Sequence, residues 1–289
     1  MEIRFSKYHG CGNSFVIIKE QGIPAGDHSR LALEMCSESK GIGADGLIIA
    51  RADPQFEMVF YNRDGSRAPM CGNGIRCFAV FCIKEGMTRK RKFKIKTMAG
   101  IMEAEIKDRG NDLEAEINMG PPGPAASHGS MEKKEFLFYK KLKVSTGEIY
   151  VRTLFMGTLH TVIWAEEYPM DELKSLCAEI CSHPAFPEKT NVDIVRIIDR
   201  KTLEMFTYER GAGFTPACGT GACAAVAAGI AEGKIENKVD VFLPGGKLHI
   251  EQRKNKEIFM KGPAVFIAGG LYRRDTNDTR LHGGADHTV

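Results

Sequence analysis

A stretch of 31 residues in this chain recurs 147 positions later. FEMVFYNRDGSRAPMCGNGIRCFAVFCIKEG, Phe56 to Gly86, aligns without a gap on LEMFTYERGAGFTPACGTGACAAVAAGIAEG, Leu203 to Gly233, with 11 identical positions. Among the shared pairs are Tyr61/Tyr208, Arg63/Arg210, Pro69/Pro216, Cys71/Cys218, Gly72/Gly219, Gly74/Gly221 and Gly86/Gly233. A unit of half the chain that occurs twice is not a solenoid, because stacked arrays need several short repeats. It implies a duplicated domain. The same offset carries Gly10, Asn13 and Phe15 of HGCGNSFV onto Gly157, His160 and Val162 of MGTLHTVI, so the duplication is expected to begin near the first residue. The Pro/Gly-rich MGPPGPAASHGS, Met119 to Ser130, is the natural linker. The expected organisation is a first domain over residues 1–118, completed by 264–275, a second over 119–263, and a polar tail over 276–289 with no assigned role.

Within each half the short apolar or alternating runs GLIIA, EMVFY, FKIKT, KVDVFL and IFMKG read as strands. After each Cys-Gly-x-Gly comes the longest helical pattern, Ile75 to Glu85 and Ala222 to Glu232, closed by Gly86 and Gly233. AVFCI and AAVAAGIA are apolar nearly all round, which suits a helix enclosed by sheet rather than one lying on a surface. Two similar α+β domains follow, each with strands wrapped round a central helix.

Charge is balanced: 40 Lys and Arg against 37 Asp and Glu give a net +3, which argues against a nucleic-acid or membrane-surface protein. No stretch reaches membrane-spanning length and MEIRFSKYHG has no signal-peptide pattern, so a cytoplasmic setting is expected. Nine cysteines, an odd number, read as reduced thiols rather than a disulfide framework. Cys36, Cys82, Cys177 and Cys181 lie in apolar helix-like runs and read as small buried hydrophobes.

Cys71 and Cys218 stand instead before glycine-opened helix starts, where unpaired N–H groups and the helix dipole favour an anion. A lowered thiol pKa is expected there, beside a cradle for a carboxylate that the glycines let approach. If the two halves face each other across a cleft, one thiolate can remove an α-hydrogen while the opposed thiol delivers a proton to the other face. Converging helix dipoles would stabilise the carbanion without pyridoxal phosphate or metal, and no cofactor or phosphate-loop motif is evident. Other readings stay open at this point: glycine beside cysteine as a purely structural turn, a zinc site from Cys71, Cys77, Cys218 and Cys223, or a redox disulfide between Cys71 and Cys218.

MCGNGIRC, Met70 to Cys77, and ERGAGFTPACGTGACA, Glu209 to Ala224, resemble the paired active-site signatures of the diaminopimelate epimerase family. FSKYHGCGNSFVII, GIGADGLII, FYNRDGS and HPAFPEKTNVDIV resemble it in the same order, so the similarity runs over nearly the whole chain. The resemblance implies an α+β fold of two pseudo-symmetric domains, each a mixed β-sheet wrapped into a barrel around a central helix. It also implies cofactor-independent inversion of LL-diaminopimelate to the meso form, in lysine and peptidoglycan synthesis, by a homodimer acting on a small amino acid. By that matching Cys71 and Cys218 are the catalytic thiols, and His160 and Glu209 assist proton transfer. Asn13, Asn62, Asn191, Glu209 and Arg210 contact substrate, and Gly72 with Asn73 and Gly219 with Thr220 hold the reacting carboxylate. A guanidinium at Arg210 also suits a distal carboxylate on physical grounds, and Glu209 a distal ammonium. As bland alternatives, Asn13 and Asn62 could cap turns, His160 could be a core histidine and Arg210 a surface ion-pair partner.

The chain departs from the family pattern in two places. MGTLH carries Thr158 and Leu159 where Gly-Asn-Pro-His is usual, and Phe214 stands where Glu is typical. Loss of an amide from the distal grip opens a second reading on the same scaffold, a racemase of another amino acid such as histidine. A phenazine-type isomerase would lack the paired cysteines, and a zinc-stabilised binding protein is the alternative outside enzymes.

Overall fold

Strands in this chain are apolar on both faces where a helix lies on each side, and half-polar elsewhere. The computed structural model describes residues 1–21, 23, 26–52, 55–110, 112–124, 138–167 and 170–274. The polar tail 276–289 and much of the Met119–Ser130 linker therefore lie outside the described residues. The first half runs β1 (Glu2–Gly10), β2 (Asn13–Lys19), α1 (His28–Cys36), β3 (Gly46–Arg51), β4 (Glu57–Asn62), β5 (Arg67–Ala68), α2 (Gly72–Lys84), β6 (Lys92–Thr97), β7 (Gly100–Arg109) and β8 (Asp112–Gly120). The second repeats this order after one additional strand, β9 (Phe138–Val144): β10 (Gly147–Phe155), β11 (Leu159–Trp164), α3 (Met170–Cys181), β12 (Asn191–Asp199), β13 (Thr202–Glu209), β14 (Gly213–Thr215), α4 (Gly219–Ala231), β15 (Lys238–Leu243), β16 (Gly246–Gln252) and β17 (Ile258–Pro263). A last strand, β18 (Val265–Arg273), runs back antiparallel to β1.

Alternation along the inner strands sorts side chains between the layers. Phe15 and Ile17 of β2 and Ile48 of β3 join the cluster around α2, while Val16, Ile18, Leu47 and Ile49 pack with Leu31, Ala32 and Met35 of α1. In the second half Val162 and Val195 face α4, whereas Ile163, Val192 and Ile194 face Cys177 and Ile180 of α3. Each fully buried Phe, Ile or Leu side chain contributes roughly 1.5–3 kcal/mol. The fold is thus α+β with mixed parallel and antiparallel pairing, β2 with β3 and β11 with β12 being parallel.

Both central helices begin earlier than their apolar pattern suggests. Gly72 and Gly219 are already helical, so Cys71 and Cys218 are themselves the N-cap residues, in extended conformation. Gly86 and Gly233 take left-handed φ of 66° and 68° and end the helices as expected.

The halves are stitched together in three places. β8 pairs with β17 antiparallel. The turn Cys11–Gly12, with φ of 53° and 82°, docks on the second half, where a Cβ on Gly245 would lie 1.9 Å from the Cys11 carbonyl oxygen. The start of α2 meets the start of α4: a Cβ on Gly72 would lie 3.5 Å from the Cα of Gly219. At the outer edge, Arg274, 8% exposed at its side chain, ion-pairs with Asp27 and with Glu34 of α1. The backbones of Met1 and Arg274 exchange hydrogen bonds at 2.8 and 2.9 Å.

The repeat does not keep one offset throughout. Tyr61 stands opposite Leu47, and Tyr208 opposite Val192, so β3 matches β12 at an offset of 145. Val16 opposite Leu47 and Thr161 opposite Val192 extend that offset into β2 and β11. The structural counterpart of His160 is therefore Phe15, and that of Asn13 is Thr158, correcting the match drawn at 147. The cause is the β12–β13 hairpin, which carries two more residues between the paired Val192 and Tyr208 than the β3–β4 hairpin carries between Leu47 and Tyr61, and so separates the register before the hairpin from that after it.

Candidate active site

Two cysteine-capped helix starts abut at the junction of the halves, and both have glycine where a side chain would keep them apart. At Gly219 a Cβ would lie 2.8 Å from the Met260 sulfur. The first N–H groups of α2 and α4 have no helical partners, and the two helix starts that carry them are in contact.

Cys71 is half-buried and Cys218 is 5% exposed. Burial pushes the Cys71 thiol up to about 11, although the Gly74 and Asn73 N–H groups pull the other way. Cys218 is pushed well above the usual thiol range, first by burial and then by the carboxyls of Glu209 and Asp193. The lowered pKa expected from the helix ends alone is thus reversed. Dehydration of the thiolate outweighs a few backbone dipoles. All nine cysteines are free thiols, and Cys36, Cys82, Cys177 and Cys181 are buried as expected. Cys77 sits in the core of the first half and Cys223 in that of the second, so a site using all four zinc candidates would have to draw ligands out of two separate cores. Among the described residues no group of three His, Cys, Asp or Glu is gathered as a metal site.

Around Cys218 the structure gathers a polar chain. The thiol lies 3.4 Å from the Thr220 hydroxyl, which lies 3.1 Å from Nε2 of His160. Nδ1 of His160 is 2.7 Å from Oδ2 of Asp193, and Thr207 donates to Oδ1 of Asp193 at 2.8 Å. His160 and Asp193 are both fully buried. Glu209 accepts from the Thr215 hydroxyl at 2.5 Å; burial raises its carboxyl, and it hydrogen-bonds Cys218. Its charge also acts on Cys71.

The remaining candidates form an outer ring. Asn191, 5% exposed, donates to the Thr158 hydroxyl at 3.1 Å and accepts from the Arg210 N–H at 3.0 Å. Arg210 is exposed and donates to the Glu188 carbonyl at 2.8 Å. Asn13 is half-buried at the start of β2, and Asn62 donates to the Ser66 hydroxyl at 2.9 Å, so in this state its amide caps a turn. Asn73 uses its side chain internally: Nδ2 donates to the Ala217 carbonyl of the other half at 3.0 Å and Oδ1 accepts from Arg76 at 2.9 Å. Of Asn73 only the backbone N–H is left for a carboxylate, as it is for the two glycines. Phe214 packs edge-on against Tyr208, with ring centroids 5.4 Å apart.

Sequence reasoning missed Asp193, Thr207, Arg76 and the part played by Thr158. The available signal at Asp193 was an acid between apolar neighbours in NVDIV, the first part of β12. Arg76, completely buried, donates to the Gly72 carbonyl at 3.1 Å and braces the first turn of α2.

The sequence profile of diaminopimelate epimerase matches residues 5–123 and 152–267. A diaminopimelate epimerase of Halothermothrix orenii is 40% identical over 278 residues, covering 93% of this chain and 98% of its own. One from Alkaliphilus metalliredigens is 37% identical, covering 94% and 98%. In fold alone, a crystal structure of a Bacillus anthracis phenazine biosynthesis protein of the PhzF family superposes with a TM-score of 0.70 at 14% identity, covering 95% of this chain and 100% of that one.

Proposed function

This chain belongs to the diaminopimelate epimerase family, and from that membership we propose that it inverts one α-carbon of LL-2,6-diaminopimelate to give the meso form, Cys71 and Cys218 being the two proton-transfer groups. The observation that carries the reading is the contact of Gly72 with Gly219, which brings two cysteine-capped helix starts to one point. In this reading one thiolate takes the α-hydrogen and becomes a thiol. The C–H electron pair moves toward the α-carboxylate, whose oxygens lie against the N–H groups of Gly72, Asn73, Gly219 and Thr220. The opposite thiol then protonates the other face and becomes the thiolate. A thiol raised by burial leaves a strongly basic thiolate once ionised, which suits a weakly acidic α-hydrogen.

His160 and Glu209 serve Cys218, while Asn13, Asn62, Asn191 and Arg210 take the distal amino acid end of the substrate. Thr158, the counterpart of Asn13, replaces an amide in that grip. Among the described residues no helix is long and apolar enough to cross a membrane. A homodimer is part of the proposal: β18 pairs among described residues with β1 and leaves Phe266, Ile267 and Leu271 exposed. A cytoplasmic setting fits nine reduced thiols.

The test is proton NMR in D2O with reductant, offering LL-diaminopimelate and L-histidine separately. Loss of the α-proton signal from diaminopimelate alone is the expected result. Exchange of histidine alone would replace the substrate, and exchange of neither would overturn the two-thiol reading.

A further inference from the structure

Asp193 lies behind the first turn of α4, in a place made for it. A Cβ on Gly221 would lie 2.3 Å from its Oδ1, so only glycine lets the carboxylate come this close to the helix. Thr207 donates to one of its oxygens and Nδ1 of His160 reaches the other, at 2.8 and 2.7 Å. An ionised carboxylate only accepts hydrogen bonds, so Nδ1 carries the proton and Nε2 of the neutral ring is the acceptor. Nε2 faces two hydroxyls, Thr158 on the half-buried side and Thr220 toward Cys218, each at 3.1 Å.

Resting on the two-thiol reading above, we propose that Asp193 is a positioning residue that fixes the His160 tautomer, so that Nε2 exchanges a proton with Cys218 through the Thr220 hydroxyl. In one direction the S–H proton passes to Oγ1 of Thr220 as the hydroxyl proton of Thr220 passes to Nε2. The products are a thiolate and an imidazolium held against the Asp193 carboxylate. The reverse transfer restores the thiol, and charge balances both ways. Such a path matters because Cys218 is buried and must recover its starting protonation state after each turnover. The other titratable groups facing this pair are Glu209 from β13, Cys177 from α3 and Cys218 itself.

The test uses the full chain and Asp193→Asn, with two readouts that need no substrate. The first is 15N-histidine NMR, in which the Nδ1-bound proton signal missing from His160→Gln is expected to vanish or move to Nε2 in Asp193→Asn. The second is alkylation by iodoacetamide followed by peptide mass spectrometry, with Cys71 as the internal control. The Cys218 to Cys71 rate ratio is expected to fall about tenfold. With LL-diaminopimelate, kcat should drop about 100-fold while KM stays within about threefold. Thr220→Val, which cuts the path and leaves Asp193 in place, should lower the alkylation ratio while keeping the Nδ1–H signal, and covers the case of a poorly folded Asp193→Asn. An unchanged tautomer, or an unchanged alkylation ratio in both variants, overturns the inference. Failure of the wild type to turn over diaminopimelate, with both spectroscopic and alkylation results as expected, would instead overturn the epimerase reading.

Discussion

The two helix starts share a plan and differ in what stands behind them. A Cβ on Gly74 would meet the Ile48 and Phe15 side chains at 3.3 and 3.5 Å, whereas one on Gly221 would meet Asp193 and Thr207. The register agrees: Phe15 occupies the place of His160, and Ile48 that of Asp193. One cysteine therefore backs onto an apolar wall braced by Arg76, and the other onto a buried chain of proton-carrying groups. Duplication supplies two equivalent thiols at abutting helix starts, and divergence of the wall behind them makes the two ends unequal. A repeated scaffold thus gives its two thiols unlike surroundings.

The comparison breaks outright if either thiol is dispensable. Cys71→Ala and Cys218→Ala should each lose at least roughly 1,000-fold in kcat/KM by the deuterium-exchange assay, and full activity in either would remove the opposed-thiol mechanism. The walls are probed next. Gly221→Ala should cost roughly 3 kcal/mol in urea unfolding, because Asp193 is held by two partners and cannot retreat from the new methyl. Gly74→Ala, meeting the movable end of Ile48, should change stability by less than about 1 kcal/mol. Equal costs would mean that the two walls are equally forgiving.

A milder contrast concerns the thiols themselves. Cys71, at about 11, is less raised than Cys218, so at pH 9 it should alkylate several-fold faster. The smallest effect is expected at Glu209. Burial holds its carboxyl above the ordinary range, so the stability it contributes is present at low pH and lost as pH rises through its folded pKa. The melting temperature of Glu209→Gln should rise relative to wild type between pH 5 and pH 8, by a few degrees. A gap that narrows with pH would put the sign of that shift in doubt.

Much of this was legible because the repeat is sequence-local. Cys71 and Cys218 announce themselves by flanking glycines, and the apolar α2 and α4 by having no polar face. The strands GLIIA, EMVFY and KVDVFL were readable by their apolar runs. What was hidden depends on distances through space. Nothing local says that Asp193 lies beside His160, 33 residues earlier, because that pairing is created by parallel strands joined through α3. The slip from 147 to 145 was invisible for a related reason: an ungapped match over the second part of each unit cannot report a hairpin of different length before it. The thiol pKa went the wrong way because helix dipoles can be read from sequence whereas dehydration requires knowing how closely the halves meet.

The placement of β18 has a consequence for how the molecule comes into being. β9 to β17 are contiguous in the chain, but β1 finds its outer neighbour only in residues 265–273, and Met1 pairs with Arg274. On a ribosome the half translated first is the half completed last. Until residues 265–274 emerge, β1 offers a bare edge and α1 lacks the Arg274 clamp on Asp27 and Glu34, so the nascent chain carries an unfinished surface while the whole second half is being made.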